Sequence, residues 1–480
     1  MGKDFLYQSI DRQAAVFTAA SDAVWGFAEL RFEEYQSAAV LIKVLEDAGF
    51  EVEHDVGDIP NAFVATFGSG GPVIGYLGEF DALSGLSQVS GQAEREAIVA
   101  GGCGHGCGHN LLGVGALAAA VALKEYLHEL KLPGTVKYYG CPGEEGGSGK
   151  AFMAREGIFQ GLDAAITWHS GDLNQVSTGS SLANIQVYFR FIGKASHAGG
   201  SPHLGRSALD AMELMNVGVN YMREHMIPDA RVHYAMIDGG GKSPNVVQPF
   251  AEQIYLIRAP KNDQVQELFQ RVVDIARGAA LMTQTQMEYQ VDKACSNLIP
   301  NFVLENLMHA NLTSIGVPQP DEARVAFGES IRKTLNDAEL HGKDKGLQEN
   351  YGGPESRRLL AELALGPIHT FVMPLCSHER PMHGSTDVSD VSWNVPTVQC
   401  NTACWALCTP GHSWQQVAQG KMPQAHAAML YAAKAMAATG LDLVENPDQL
   451  QAAKAELLER LNGEVYVCPI PAGILPSKVK

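Results

Sequence analysis

The chain has 480 residues, 46% hydrophobic and 18% charged, with 35 Lys and Arg against 53 Asp and Glu for a formal charge of −18. Charged residues fall below the usual quarter of a globular chain, which points to a large buried core and excludes a disordered or polyelectrolyte chain. A pI near 5.3 without any Lys/Arg cluster excludes nucleic acid and an anionic membrane surface as partners.

At about 150 residues per domain, the length suits two or three domains. The longest apolar run, 111–123, stops at Lys124, short of the roughly 18 to 20 residues a spanning helix needs, and predicts a buried helix. The opening MGKDFLYQSIDRQ has no basic segment followed by an apolar one, so no secretory signal is expected, and Leu6 breaks the myristoylation pattern. Nine Cys, an odd number in a long chain, argue against a disulfide framework and for a reducing cytoplasm.

Residues 35–48 have helical spacing. The runs 72–80, 134–141 and 164–168 are short and largely apolar, and a helix at 111–130 separates the first two. This is the βαβ rhythm of an α/β fold with a mainly parallel, doubly wound sheet, which places its chemistry beyond the carboxyl ends of the strands. After Ser180 the rhythm changes. Residues 183–192 alternate as a strand, 206–226 are amphipathic, and 231–236 and 250–258 read as strands around the turn-rich DGGGKSPN; a helix at 264–281 and a strand at 286–291 follow. The β-α-β-β-α-β order is that of a ferredoxin-like unit. It predicts an inserted lid or dimerisation domain at 183–297, with the catalytic domain split into 1–182 and 298–480. Residues 314–367 predict surface helices and loops, and strand-like runs resume at 370–375 and 397–408 to complete the first domain.

Four places carry candidate chemistry. Cys103-Gly-His105-Gly-Cys107-Gly-His109 packs two Cys and two His into seven residues before an apolar helix. It reads as an open transition-metal site, as a closed structural zinc site, or as a glycine-rich turn with incidental polar residues; alternate positions splay apart unless the loop folds back. Glu144-Glu145 follows a predicted strand, so one carboxylate can hold a metal while the other faces water; the alternative is an exposed acidic turn. His169 ends the strand at 164–168, and His412 follows the last apolar block. A lone His is more often a satisfied structural residue, but four strand ends or turns all delivering metal-type donors are harder to dismiss. Glu79 and Asp81 suit carboxylates that orient a ligand His. Cys400, Cys404 and Cys408 predict buried small hydrophobes rather than ligands.

The ordered set GEFDAL, HGCGHN, GCPGEEGGSG, TWHS, GKASHAGGSPHLGRSALDA, SPNVVQP and TPGHSW resembles the metal-dependent amidohydrolases that include aminoacylase, hippurate hydrolase and the auxin-conjugate hydrolases. Within them, Asn61 to Phe63, the GEEGGSGK loop and STDVSDVSW resemble the branch that cleaves p-aminobenzoyl-glutamate. The resemblance implies a pair of divalent ions, zinc or manganese, held by Cys107, His109, Glu145, His169 and His412. It implies Glu144 as the general base and Asp81 as an orienting carboxylate. His197 would stabilise the oxyanion in the site of a partner protomer, and Asn245 and Arg258 would bind the substrate's free carboxylate, although Arg258 alone is equally a surface salt bridge. The substrate would be a small acyl-amino acid. The assembly would be a homodimer through the lid or a hetero-oligomer with a related A-type chain. Two departures stand out: Glu79 replaces the His many co-catalytic metallopeptidases carry there, and Gly-Ser-Thr-Asp replaces the more usual Gly-Ser-Glu-Asp, leaving the parts of Thr386 and Asp387 open. The expected function is cleavage of an aryl-acyl amino acid. The rivals are a hydrolase of other N-acyl amino acids and a non-catalytic metal-binding protein that supports a catalytic partner.

Overall fold

The computed structural model describes residues 2–382 and 384–478. In chain order its strands are β1 (Glu51–His54), β2 (Phe63–Ser69), β3 (Val73–Glu79), β4 (Gly134–Cys141), β5 (Ala164–Gly171), β6 (Gln175–Val176), β7 (Ser180–Ser181), β8 (Ala183–Ile192), β9 (Arg231–Asp238), β10 (Phe250–Ala259), β11 (Gln286–Cys295), β12 (Pro381–Met382) and β13 (Thr397–Ala403). Seven form one sheet in the order β1-β2-β4-β3-β5-β13-β6. The central β4, β3, β5 and β13 run parallel, while β1, β2 and β6 add antiparallel edges. The central strands are almost wholly buried, as a parallel sheet covered on both faces requires.

Helices His109–Leu130 and Pro423–Glu445 pack on one face of this sheet. Both are long and apolar enough to cross a membrane, yet 83% and 72% of their apolar windows are buried in the fold, which makes them core helices. The first is rich in Ala and Gly because the strands lie close. A Cβ at Gly115 would come within 2.5 Å of Trp168 Nε1, whose N–H donates to the Leu112 carbonyl at 3.0 Å. The other face carries Phe152 and Val391 in a core continuous with that of the smaller sheet.

The smaller sheet is antiparallel in the order β11-β8-β10-β9. Helices Ala208–Met222 and Asn262–Thr283 cover one face, so β10 alternates: Gln253, Tyr255 and Ile257 are buried, while Ile254, Leu256 and Arg258 lie on the open face. Near its end β11 shifts register, between Val291 and Lys293. Asp292 there meets Arg31 of the larger layer at 3.3 Å and accepts from Gln186 Nε2 at 2.7 Å and Ser477 Oγ at 2.8 Å. Short parallel strands β7 and β12 pair where the chain passes between the layers.

Two strand expectations fail. Residues 370–375 make only an isolated bridge, Asn174 to Val372, because Met373 turns into a separate cluster with Leu173, Leu359 and Leu407. The run 397–408 is a strand only to Ala403; beyond it the chain folds back, with Cys408 at φ 70°.

Candidate metal centre

The larger sheet delivers its donors from neighbouring strand ends. β3 ends at Glu79 and leads to Asp81, β4 leads to Glu144 and Glu145, and His169 lies near the end of β5. The glycine-rich loop before His109 must lie flat on the end of β5. Gly108 has φ 81°, a Cβ on it would approach Ser170 Oγ to 2.3 Å, and that hydroxyl donates to the Cys107 carbonyl at 2.8 Å. His412, at φ 53°, is tied to the same loop by its N–H, which donates to the Gly106 carbonyl at 3.0 Å.

These tethers bring the five expected ligands together. Cys107 Sγ lies 3.3 Å from His169 Nε2, and His412 Nε2 lies 3.1 Å from Glu145 Oε1. Donor atoms fall within 4.8 Å of one another in three sets: Cys107, His109 and His169; Cys107, Glu145 and His412; and Glu79, His109 and Glu144. His109 Nδ1 meets Asp81 Oδ1 at 2.8 Å and His169 Nδ1 meets the Ser170 carbonyl at 2.8 Å, so both rings are tied through Nδ1 and turn Nε2 inward to the cluster. The other Asp81 oxygen accepts from the Glu145 N–H at 2.7 Å, so one carboxylate sets two of the donors.

A cation fits this arrangement. His109 Nε2 and Glu145 Oε1 are buried without a hydrogen-bond partner, since the approaches of Glu79 at 3.2 Å and His412 at 3.1 Å lack the required geometry. Buried polar atoms are otherwise satisfied as a rule, and a set of thiolate, imidazole and carboxylate donors suits a borderline divalent ion. Burial raises the Glu145 carboxyl, but His412 and His109 outweigh it and hold it down at about 2. Burial, with the charges of Glu79, Glu145 and Asp387, instead pushes Glu144 well above the ordinary range. The adjacent carboxylates are therefore in different electrostatic environments.

The donors of the run from Cys103 to His109 splay apart. Cys107 and His109 enter the cluster, while His105 turns away to the Val24 carbonyl at 3.0 Å, and burial keeps it neutral with a pKa of about 3. The closed four-ligand reading of this loop is therefore excluded. Cys400 and Cys404 are buried among apolar side chains, and Cys408 Sγ donates to the Leu340 carbonyl at 3.3 Å.

Sequence reasoning missed the support behind the cluster. Lys150 is fully buried, with Nζ 2.6 Å from both Glu79 Oε1 and Asp387 Oδ1, and its N–H donates to Asp387 Oδ2 at 2.8 Å. Asp387 is thus the partner of a buried ammonium, while Thr386 Oγ1 caps the Val388 N–H at 3.2 Å. Glu34 accepts from the Gly143 N–H at 2.8 Å and from the Asn61 amide, clamping the turn that carries Glu144. The final Lys of GEEGGSGK and the Asn of NAF were the available signals.

The smaller layer's candidates stand apart. His197 is exposed, and its Nδ1 accepts from the N–H groups of Gly199 at 3.1 Å and Gly200 at 2.8 Å, leaving Nε2 as a donor. Asn245 lies beside it, its carbonyl accepting from the Ala198 N–H at 2.9 Å. Arg258 sits on the open face of β10 with its Nε buried and unpaired, not in a surface salt bridge. Among the described residues, none of the three has a hydrogen bond or ion pair to the cluster.

A family model for Peptidase family M20/M25/M40 matches residues 78–439. The chain belongs to this family. Membership in M20/M25/M40 makes it a hydrolase acting on peptide-type bonds, in line with the sequence reading. Among curated proteins it is similar to the B-type component of p-aminobenzoyl-glutamate hydrolase from Escherichia coli K12, at 47% identity over 476 residues, 99% of each chain. It is also similar to the A-type component of that hydrolase, at 28% identity over 50% of this chain and 56% of the relative. Among solved structures, the Bacillus subtilis YXEP protein, described as a dinuclear metal binding peptidase from the M20 family, matches in fold with a TM-score of 0.53 at 17% identity, covering 90% of this chain and 99% of its own.

Proposed function

We propose that the chain hydrolyses the amide of an aryl-acyl amino acid, with p-aminobenzoyl-glutamate as substrate and p-aminobenzoate and glutamate as products. The observation that carries this reading is the convergence of Cys107, His109, Glu145, His169 and His412 beside Glu144, whose carboxylate holds no place in the buried ion pairs of its neighbours. Similarity to the B-type Escherichia coli protein over almost the whole chain supports the choice of substrate.

In this reading the five residues hold two divalent ions, zinc or manganese, which when bound polarise the scissile carbonyl and lower the pKa of water. Glu144 accepts a proton from the attacking water and delivers it to the leaving amine. Asp81 fixes the His109 tautomer and the Glu145 backbone. His197, its Nδ1 already occupied, donates from Nε2 to the oxyanion of the tetrahedral intermediate. Asn245 and Arg258 hold the free α-carboxylate, for which a guanidinium fork is the fitting partner. The name of the A-type relative supports a hetero-oligomer with a related chain. The exposed edge β9, with Met236 and Ile237 open to solvent, offers a surface for that partner or for a second copy. Nine unpaired cysteines support a reducing cytoplasm as the setting.

The test is Glu144→Gln in the purified single chain, with p-aminobenzoate release and metal content measured together. Turnover should fall about 10²- to 10⁴-fold with the metal retained. Undiminished turnover refutes the assignment of the base, and an inactive, metal-replete wild type would favour a supporting role beside a catalytic partner instead.

A further inference from the structure

The register of the smaller sheet lines up Cys295, Asn184, Arg258 and Arg231 across β11, β8, β10 and β9, and Lys293, Gln186, Leu256 and His233 in the next row on the same face. The inner end of this ladder abuts the catalytic turn. Glu144–Gly147 packs on β11, and the buried Cys295 thiol is raised by burial and by the nearby charges of Asp390, Asp387 and Glu144. With strands about 4.8 Å apart, Arg258 stands two strands out from Cys295 and Arg231 one further. Both stand on the same open face, in line outward from the catalytic turn.

The charges on these outer strands are uncompensated. Arg258 Nε is buried without a partner, and no carboxylate pairs with Arg258, Arg231 or His233 among the described residues. Arg231 donates only to the backbone carbonyls of Pro228 and Ala230. Like charges directly opposite each other on neighbouring strands destabilise a sheet, and elsewhere on this face Arg190 is neutralised by Glu252 at 2.6 Å. Burial and the three arginines 258, 223 and 231 together hold the His233 imidazole below its ordinary value. Two guanidiniums and an imidazole on adjacent strands, without an acid, make a seat for an anion carrying two separated negative charges.

We propose that Arg258, Arg231 and His233 form a dicarboxylate subsite that selects the amino acid released. Arg258 grips the α-carboxylate, and Arg231 with His233 receives the side-chain carboxylate of a dicarboxylic amino acid such as glutamate. The proposal rests on the hydrolase reading for the position of the scissile bond, and it adds residues that choose an acidic amino acid over a neutral one.

The test compares p-aminobenzoyl-glutamate with the isosteric p-aminobenzoyl-glutamine in wild type and Arg231→Gln, and measures Kd for free glutamate and free glutamine by calorimetry on the metal-loaded protein. A charged contact is worth about tenfold or more. The wild type should therefore prefer the glutamate compound by at least about tenfold in kcat/KM and in Kd, and Arg231→Gln should bring both ratios towards one, with Arg231→Lys falling between. An unaltered preference in Arg231→Gln, or no preference in the wild type, overturns the subsite. Cleavage of both amides without discrimination leaves the hydrolase reading standing and removes the subsite. Discrimination in Kd without cleavage of either amide does the reverse.

Discussion

Replacing Lys150 with Met removes a buried cation and nothing else of similar size. Burial opposes the charge of this ammonium, yet Asp387 and Glu79 hold its pKa well above the ordinary value, so it stays protonated. Unit charges about 4 Å apart interact by about 4 kcal/mol at an effective dielectric of 20, so its two carboxylate contacts supply about 8 kcal/mol before desolvation. Burying each ion costs several kcal/mol, which offsets most of that gain. The intact trio is thus near neutral in net stability, but the variant leaves Asp387 buried without a counter-charge and Glu79 with only the His109 ring at 3.2 Å, and breaking a buried pair costs about 3 to 5 kcal/mol. Urea unfolding followed by tryptophan fluorescence, on metal-loaded and metal-stripped protein, should show that loss in both forms. The double variant Lys150→Met with Asp387→Leu should recover part of it, because one stranded charge is gone. A loss below about 1 kcal/mol in the single variant, or no recovery in the double, would refute the account of Lys150 as the counter-ion behind the centre.

Asp81→Asn should weaken metal affinity about 10- to 100-fold in a chelator competition, since one amide cannot both accept from His109 Nδ1 and accept from the Glu145 N–H with full charge; unchanged affinity would show that Asp81 does not set these donors. His197→Ala should lower kcat by about 10² to 10³ without altering metal content, and loss of metal would instead make His197 a ligand. Burial holds Asp390 at about 7, although Ser296 and Tyr466 donate to it. The native state then keeps a proton that the unfolded chain releases from its ordinary value upward, so this group's stability contribution falls as pH rises to about 7 and is level above. Asp390→Asn lacks that slope and should gain stability relative to wild type between pH 5 and 8 (about the span that crosses the transition); a pH-independent difference in urea midpoints would contradict this.

The parts of the site legible in the sequence are those fixed by local pattern. The spacing of Cys103 to His109 anticipates that its four donors do not all converge, while the choice of Cys107 and His109 comes with the family resemblance; the period-two burial of β10 shows in its residues. His169 and His412 are readable as donors because apolar runs end beside them. Lys150 shows in the sequence only as the final Lys of the GEEGGSGK loop; its burial is not readable, because a Lys in a glycine-rich loop resembles a solvated one and its partner Asp387 lies 237 residues away. Glu34 is hidden likewise: it looks like an exposed acid until the fold places it against the Gly143 N–H, 109 residues on. Residues 370–375 misled because apolar alternation does not distinguish a strand from an extended segment whose side chains enter a separate helical cluster.

The charge balance links the two halves of the molecule. A net charge of −18 opposes the approach of an acyl-glutamate, and screening confines that field to about 8 Å at physiological salt. Within the centre, Lys150 is fully buried behind Glu79 and Asp387, which keeps its ammonium out of reach of a substrate carboxylate. The bound ions serve the scissile carbonyl in the proposed function. In the proposed subsite the positive charge for the amino-acid end comes from the other layer, where Arg258 and Arg231 stand without an acid among the described residues. The buried contact of Asp292 with Arg31, Gln186 and Ser477 ties this sheet to the larger layer, and in the proposed subsite the unpaired guanidiniums on its open face reverse the field of the acidic chain.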